Sequence, residues 1–337
     1  MRKPKLSSLL STTSGMALVI GTSVLVLVAF AMALVGPDHL ARASAAMKVD
    51  QTSNSPSATA GATASASASA SASSRDTADS ETTLAGADTS SASATSNASA
   101  AVASAVESIV SADDGHVSVA VEDQSSGTTA GYNVGDDYVT ASIIKLDILE
   151  TLLYDDQKNG TSPSSSQRTL ITEMIKQSDN QAALDLYDDE GGASAVTAAD
   201  TVFGLTDTDV DEDAFGDTTT TVTDQIRLLR QAFTDDSVLT SANREYIQSL
   251  MSGVESDQRW GVSSAADDSS SSATDYMLKN GWLPRSATGL WEINSIGEVT
   301  HDGREYLVAV LSSDNESMDD GVDVIEKAAK AAVDALD

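Results

Sequence analysis

The 337-residue chain contains no cysteine, three histidines, and only 19 basic residues against 51 acidic ones. Without thiols there is no disulfide framework and no thiolate metal site, a composition that fits an exported chain needing no oxidative folding. His39 lies beside a long apolar run, His116 at the start of a strand-like stretch and His301 in a turn, so a Ser-His-Asp triad has little support. No H-E-x-x-H or C-x-x-C pattern offers zinc ligands, and no glycine-rich loop follows a strand to cradle phosphate. No metal or other cofactor is expected. The formal charge of −32 argues against nucleic acid as a partner. Residues 1–105 hold six basic and six acidic residues, so the excess lies in 106–337, where it suits solubility outside the cell or, as an alternative, high salt.

The N-terminal third reads as three unlike segments. Residues 1–15 carry Arg2, Lys3 and Lys5 and form a basic segment expected on the cytoplasmic side. Residues 16–36 form an apolar stretch long enough to span a bilayer, read as a retained signal anchor that tethers the chain to the membrane. The small-residue patterns at 41–43 and 43–45 keep cleavage and release open. Residues 37–105 are dominated by Ser, Ala and Thr with almost no large apolar side chain, so they are expected to be a disordered tether.

Residues 106–337 read as one globular, monomeric domain. Alternation predicts strands over 116–122 and 128–133, with Ser125-Ser126-Gly127 as the turn between them. Helical periodicity predicts helices at 167–176, 180–187, 193–203, 222–233 and 241–251. Strands return at 276–279, 290–298 and 305–311, and an apolar stripe through Val322, Ile325, Ala329 and Val333 marks a closing helix over 318–336. The expected class is α+β: a five-stranded antiparallel sheet, two strands from before the helices and three from after, covered by helices.

The stretch Tyr138–Leu153 organises this domain. Ile144, Ile148 and Leu152 share one face of a helix starting near Ser142, which puts Lys145 beside Ser142 at a spacing of three. A serine hydroxyl becomes a nucleophile when a base takes its proton, and a lysine serves as that base when burial or nearby positive charge lowers its pKa. A helix N-terminus also presents backbone N–H groups where an oxyanion would form. The pair alone equally fits an N-capping serine with an incidental lysine.

Two further motifs follow in order: Ser178-Asp179-Asn180 after a helical run, and Lys279-Asn280-Gly281 at the end of a strand-like run. The succession S-x-x-K, S-D-N, K-[T/N]-G resembles the class A β-lactamases among the penicillin-recognising serine enzymes, over roughly 115–337. Asp217-Thr-Thr-Thr220 and Gln258-Arg-Trp-Gly261 add to the likeness. A second literal S-D-N, at 313–315, comes after the lysine motif and reads as a polar strand exit.

The resemblance implies an all-helical subdomain beside the sheet and a site in which Ser142 is acylated. Lys145 would accept or relay its proton, and Ser178, assisted by Lys279, would pass a proton to the departing nitrogen. It further implies that Lys279 lowers the pKa of Lys145 and attracts a substrate carboxylate, that Asn180 binds the substrate's amide, and that the N–H groups of Ser142 and Trp282 form the oxyanion hole. Gly281 would let the substrate lie close. Asn280, where threonine is usual, would still donate to the carboxylate. The loop carrying the family's water-activating glutamate is short here, and Glu212 is the nearest candidate. The expected activity is opening of β-lactams through an acyl-enzyme with slow deacylation. A D-Ala-D-Ala peptidase or other cell-wall amide or ester hydrolase, and a tethered module that acylates and stops, are the alternatives.

Overall fold

The structure, a computed structural model, describes residues 87–110, 115–267 and 275–337. The expected basic segment, membrane anchor and cleavage sites lie outside the described residues, as does the tether up to residue 86. Among the described residues no helix is long and apolar enough to cross a membrane.

The first element contradicts the expected tether boundary. Ala87–Glu107 is a helix, α1, because alanine is the best helix former and the repeat becomes apolar toward its end. Val102 and Val106, one turn apart, are fully buried against the sheet's outer core. Burying each contributes about 1.5–3 kcal/mol relative to exposure, enough to recruit a segment whose composition alone predicts disorder.

Strands β1 (His116–Asp123) and β2 (Thr128–Tyr132) lead through the short β3 (Tyr138–Val139) and a 3₁₀ turn, Ala141–Ile143, into α2 (Ile144–Asn159). Helices α3 (Ser165–Lys176), α4 (Asn180–Glu190), α5 (Ala193–Phe203), α6 (Val222–Phe233) and α7 (Ser241–Met251) follow, with a two-residue β4 (Thr219–Thr220) before α6. The chain then returns through β5 (Tyr276–Pro284), β6 (Trp291–His301) and β7 (Arg304–Asn315) to α8 (Met318–Leu336). The five long strands pair antiparallel in the order β2-β1-β7-β6-β5, and β3 pairs only with β4. The α+β architecture is as expected, with two strands before and three after the helices.

Helices cover both faces of the sheet, so its central strands are apolar on both sides. On β7, Leu307, Ala309 and Leu311 face the core shared with α2 to α7, whereas Tyr306, Val308 and Val310 face the core under α1 and α8. Several elements run longer than expected, two of them with a clear cause. α2 runs on past Leu153 to Asn159, where Gly160 at φ 66° ends it in a left-handed cap. β5 extends through Lys279-Asn280-Gly281 to Pro284, since nine consecutive pairings to β6 outweigh the poor strand propensity of Asn and Gly. The lysine motif therefore sits in mid-strand, on the free edge of the sheet.

Candidate active site

The free edge of β5 faces the turn that carries Ser142. A Cβ added at Gly281 would lie 2.7 Å from the Thr140 carbonyl oxygen and 2.8 Å from the Ser142 nitrogen. Any side chain there would push the strand off the turn. This close approach, rather than turn geometry, is the local reason for glycine in the third motif.

Ser142 itself lies inside the 3₁₀ turn, which has no side-chain cap. Ala141 before it holds φ +48°, a left-handed conformation that costs a residue with a Cβ about 1–2 kcal/mol. Lys145, in the first turn of α2, is fully buried. Its Nζ lies 3.0 Å from Ser142 Oγ, 3.2 Å from Ser178 Oγ, 2.6 Å from the Ser178 carbonyl oxygen and 2.7 Å from Asn180 Oδ1. Burial brings its pKa down to about 7, against a smaller opposing pull from Asp179. The two shortest contacts go to oxygens that only accept. A neutral amine with two N–H groups satisfies both of them and turns its lone pair toward a hydroxyl, Ser142 being the nearer.

The second motif is placed by helix capping. Ser178 takes φ +56° between α3 and α4, and the Asp179 side chain accepts from the Ala182 N–H at 2.7 Å as the N-cap of α4. Asn180 begins α4 and is exposed; with Oδ1 on Lys145, its amide Nδ2 has no partner among the described residues. From the other side, Lys279 Nζ donates to Ser178 Oγ at 3.0 Å and to the Asn280 carbonyl at 2.8 Å. Lys279 is fully buried, and its pKa is pushed well below the lysine range first by burial and then by the charge of Lys145. Lys145 is thus lowered chiefly by burial, where the sequence reading looked to Lys279.

Two expectations are modified. Asn280 does not offer its amide to a ligand: buried, it donates through Nδ2 to the carbonyls of Gln258 at 2.9 Å and Trp260 at 3.0 Å. The strand alternation that turns Lys279 and Gly281 toward Ser142 turns Asn280 to the opposite face. Trp282 follows it there, its ring 5.9 Å from that of Trp260. Glu212 is exposed and makes no hydrogen bond to any described residue. Its neighbour Asp211 instead accepts from the N–H groups of Asp213 and Ala214, and Phe215 packs on Tyr187, so the short loop holds itself together. Asn315 of the second S-D-N donates to the Trp291 carbonyl at the end of β7, a strand exit as expected.

Other groups near the site were given no role by the sequence. Asp217, in the 3₁₀ turn Phe215–Asp217 that touches the Ser142 turn, pairs with Arg285 of the β5–β6 connection at 2.6 Å. Asn294, in mid-β6, contacts the backbone just ahead of Ser142; on a strand buried on both faces, a polar residue breaks no alternation. Beneath the site, Asp147 and Glu150 of α2 and Asp200 of α5 form a buried carboxylate cluster. Burial raises their pKa values first, the charge of Asp200 adding to it for Asp147 and Glu150 and that of Asp224 for Asp200, which is brought up to about 7. Among the described residues no group of His, Asp or Glu is arranged to hold a metal ion.

The model of the beta-lactamase enzyme family matches residues 155–336, more than half of the chain. The match takes in Ser178, Asn180 and Lys279–Gly281 and begins after Ser142 and Lys145, which the fold brings to them. No curated protein matches the chain in sequence. Among solved structures, a class A beta-lactamase from Bacteroides cellulosilyticus superposes with TM-score 0.60 at 18% identity, over 71% of this chain and 98% of its own. A beta-lactamase from Chitinophaga pinensis gives 0.60 at 17%, over 72% and 100%. PBP-A gives 0.59 at 16%, over 69% and 95%. At these identities the likeness is one of fold.

Proposed function

The chain belongs to the beta-lactamase enzyme family, and on that premise we propose that it is a serine hydrolase whose Ser142 is acylated by β-lactams. The observation that carries this reading is the convergence of Lys145 Nζ on Ser142 Oγ at 3.0 Å with the meeting of both lysines on Ser178 Oγ. Neutral Lys145 takes the Ser142 proton as Oγ bonds to the lactam carbonyl carbon. The oxyanion that forms lies against the backbone N–H groups of Ser142 and Trp282. Its collapse breaks the C–N bond, and the nitrogen takes a proton from Ser178, which Lys145 resupplies with Lys279 holding the hydroxyl in place. Asn180 Nδ2 donates to the acyl side chain.

Deacylation is slow in this proposal. Glu212 is exposed, and Asp217 is engaged by Arg285. The same observations favour, as a second reading, a tethered module that acylates and turns over rarely, held outside the cell by the N-terminal span.

The test is intact-mass spectrometry of the chain mixed with benzylpenicillin and followed in time, alongside Ser142→Ala. A single long-lived adduct of penicillin mass, mapped to Ser142 and missing from the alanine variant, is expected. No adduct on the parent chain, or one that survives Ser142→Ala, overturns the reading.

A further inference from the structure

The turn that presents Ser142 is strained and uncapped, so something outside it must hold it. Ala141 at φ +48° would relax toward the right-handed or extended basins if its neighbours were free. On one side, the Thr140 N–H donates to the Thr218 carbonyl at 2.8 Å. The carbonyls of Val139 and Thr140 share one side chain: Asn294 Nδ2 donates to the first at 2.8 Å and to the second at 3.0 Å, the Thr140 carbonyl accepting also from the Ile143 N–H at 3.3 Å. Asn294 is fully buried, and its Oδ1 accepts from the Ser312 N–H of β7 at 3.2 Å. Flipping the amide would set Oδ1 against two carbonyls and the NH₂ group against an N–H, so its orientation is locked.

We propose that Asn294 is a positioning residue for acylation: by holding the Val139 and Thr140 carbonyls to the centre of the sheet it keeps Ala141 left-handed and so aims both the Oγ and the backbone N–H of Ser142. The proposal rests on the reading of Ser142 as the acylated residue. Its physical content is a chain of fixed positions: β7 orients the amide, the amide orients two successive peptide planes, and those planes direct the next residue but one. Without Nδ2 the Val139 carbonyl loses its side-chain donor and the Thr140 carbonyl keeps only the longer bond from the Ile143 N–H, within the turn itself, so the strain at Ala141 is free to relax. Lys145 does not touch Asn294, so the proton acceptor stays as it is while the nucleophile moves.

The test measures the acylation rate constant and the dissociation constant of the preceding complex with a fluorescent penicillin, in the parent chain, Asn294→Ala, Asn294→Ser and Asn294→Ala/Ala141→Gly. A misplacement of about 1 Å costs on the order of a hundredfold in rate, so Asn294→Ala is expected to acylate about a hundredfold more slowly with its dissociation constant little changed. The serine variant, which keeps one donor, falls between. Glycine at 141 removes the penalty for φ > 0 and is expected to restore about tenfold of the loss, a rescue that a packing role for Asn294 does not predict. If the alanine variant fails to melt cooperatively, Asn294→Ser and its Ala141→Gly double carry the same comparison. Acylation of a folded variant within about threefold of the parent, or a loss that glycine at 141 leaves untouched, overturns the proposal. A parent chain that is not acylated at all instead sinks the proposed function on which it stands.

Discussion

Lys145 and Lys279, from a helix and from the edge strand of the sheet, meet on one hydroxyl, that of Ser178, at 3.2 and 3.0 Å. Both are fully buried and both have depressed pKa values. Two ammonium groups on one oxygen with no carboxylate bonded to either is a costly arrangement. It is relieved when one of them is neutral, which is the state in which Lys145 can accept a proton.

This sets the pH dependence of acylation. With Lys145 titrating at about 7 in the free protein, the acylation rate at low penicillin concentration should fall tenfold per pH unit below that value and level off above it. Stopped-flow measurement from pH 5 to 9 checks this. A rate flat across pH 5 to 7, or one that Lys145→Ala leaves intact, would take the proton acceptor away from Lys145.

Release of the acyl group is the second expectation. General-base help with water contributes about 10² to 10⁴ in rate, and Glu212 is exposed with no hydrogen bond to any described residue. Chromogenic cephalosporin should therefore give a burst of one equivalent followed by a slow steady state, and Glu212→Gln should change that steady state by less than about threefold. Fast turnover lost in the glutamine variant would assign the water-activating role to Glu212 after all.

Stability should be lowest near neutral pH, and the sign follows from two sets of buried groups. For Asp200 and its neighbours the folded pKa is raised above the unfolded value near 4. Between about 4 and 7 the folded state then binds more protons, and stability falls as pH rises, by at most about 1.4 kcal/mol per pH unit for each proton. For Lys145, whose folded pKa is brought down to about 7, the unfolded state binds more protons between about 7 and 10.5 and stability recovers, and the depressed pKa of Lys279 acts in the same direction. Thermal melts at pH 5, 7.5 and 9.5 and constant ionic strength should place the lowest Tm at 7.5. Glu150 is fully buried with both carboxylate oxygens unpartnered, so Glu150→Gln should raise Tm at pH 7.5 more than at pH 5. A Tm that rises steadily from 5 to 7.5, with Glu150→Gln destabilising at both, contradicts this account.

Much of the architecture was legible locally. The two hairpin strands, the helices from Ser165 to Met251 and the closing helix are each written in a period of two or three to four residues, because one face of each meets a core. Two of the three motifs were legible for a related reason, since Ser142 with Lys145 and Asp179 as a cap each answer a local requirement, whereas Gly281 answers to the distant Ser142 turn. What failed locally was decided by partners distant in the chain. α1 forms out of a Ser/Ala segment because α8 and the sheet offer Val102 and Val106 a core, and β5 runs through Asn280 and Gly281 because β6 pairs with it throughout.

Fold class and the order of the motifs were fixed along the chain, since covalent spacing and side-chain chemistry are local properties, and the resemblance those motifs carry named the residues that meet at Ser178. Which atoms those residues present was left to packing. It turned Asn280 away to the Gln258 and Trp260 carbonyls, left Glu212 in solvent, and tied the Ser142 turn to Asn294, which lies 152 residues further along the chain. A hydrogen bond requires two groups within about 3 Å in a set orientation, and across such separations only the packed sheet and helices bring groups that close.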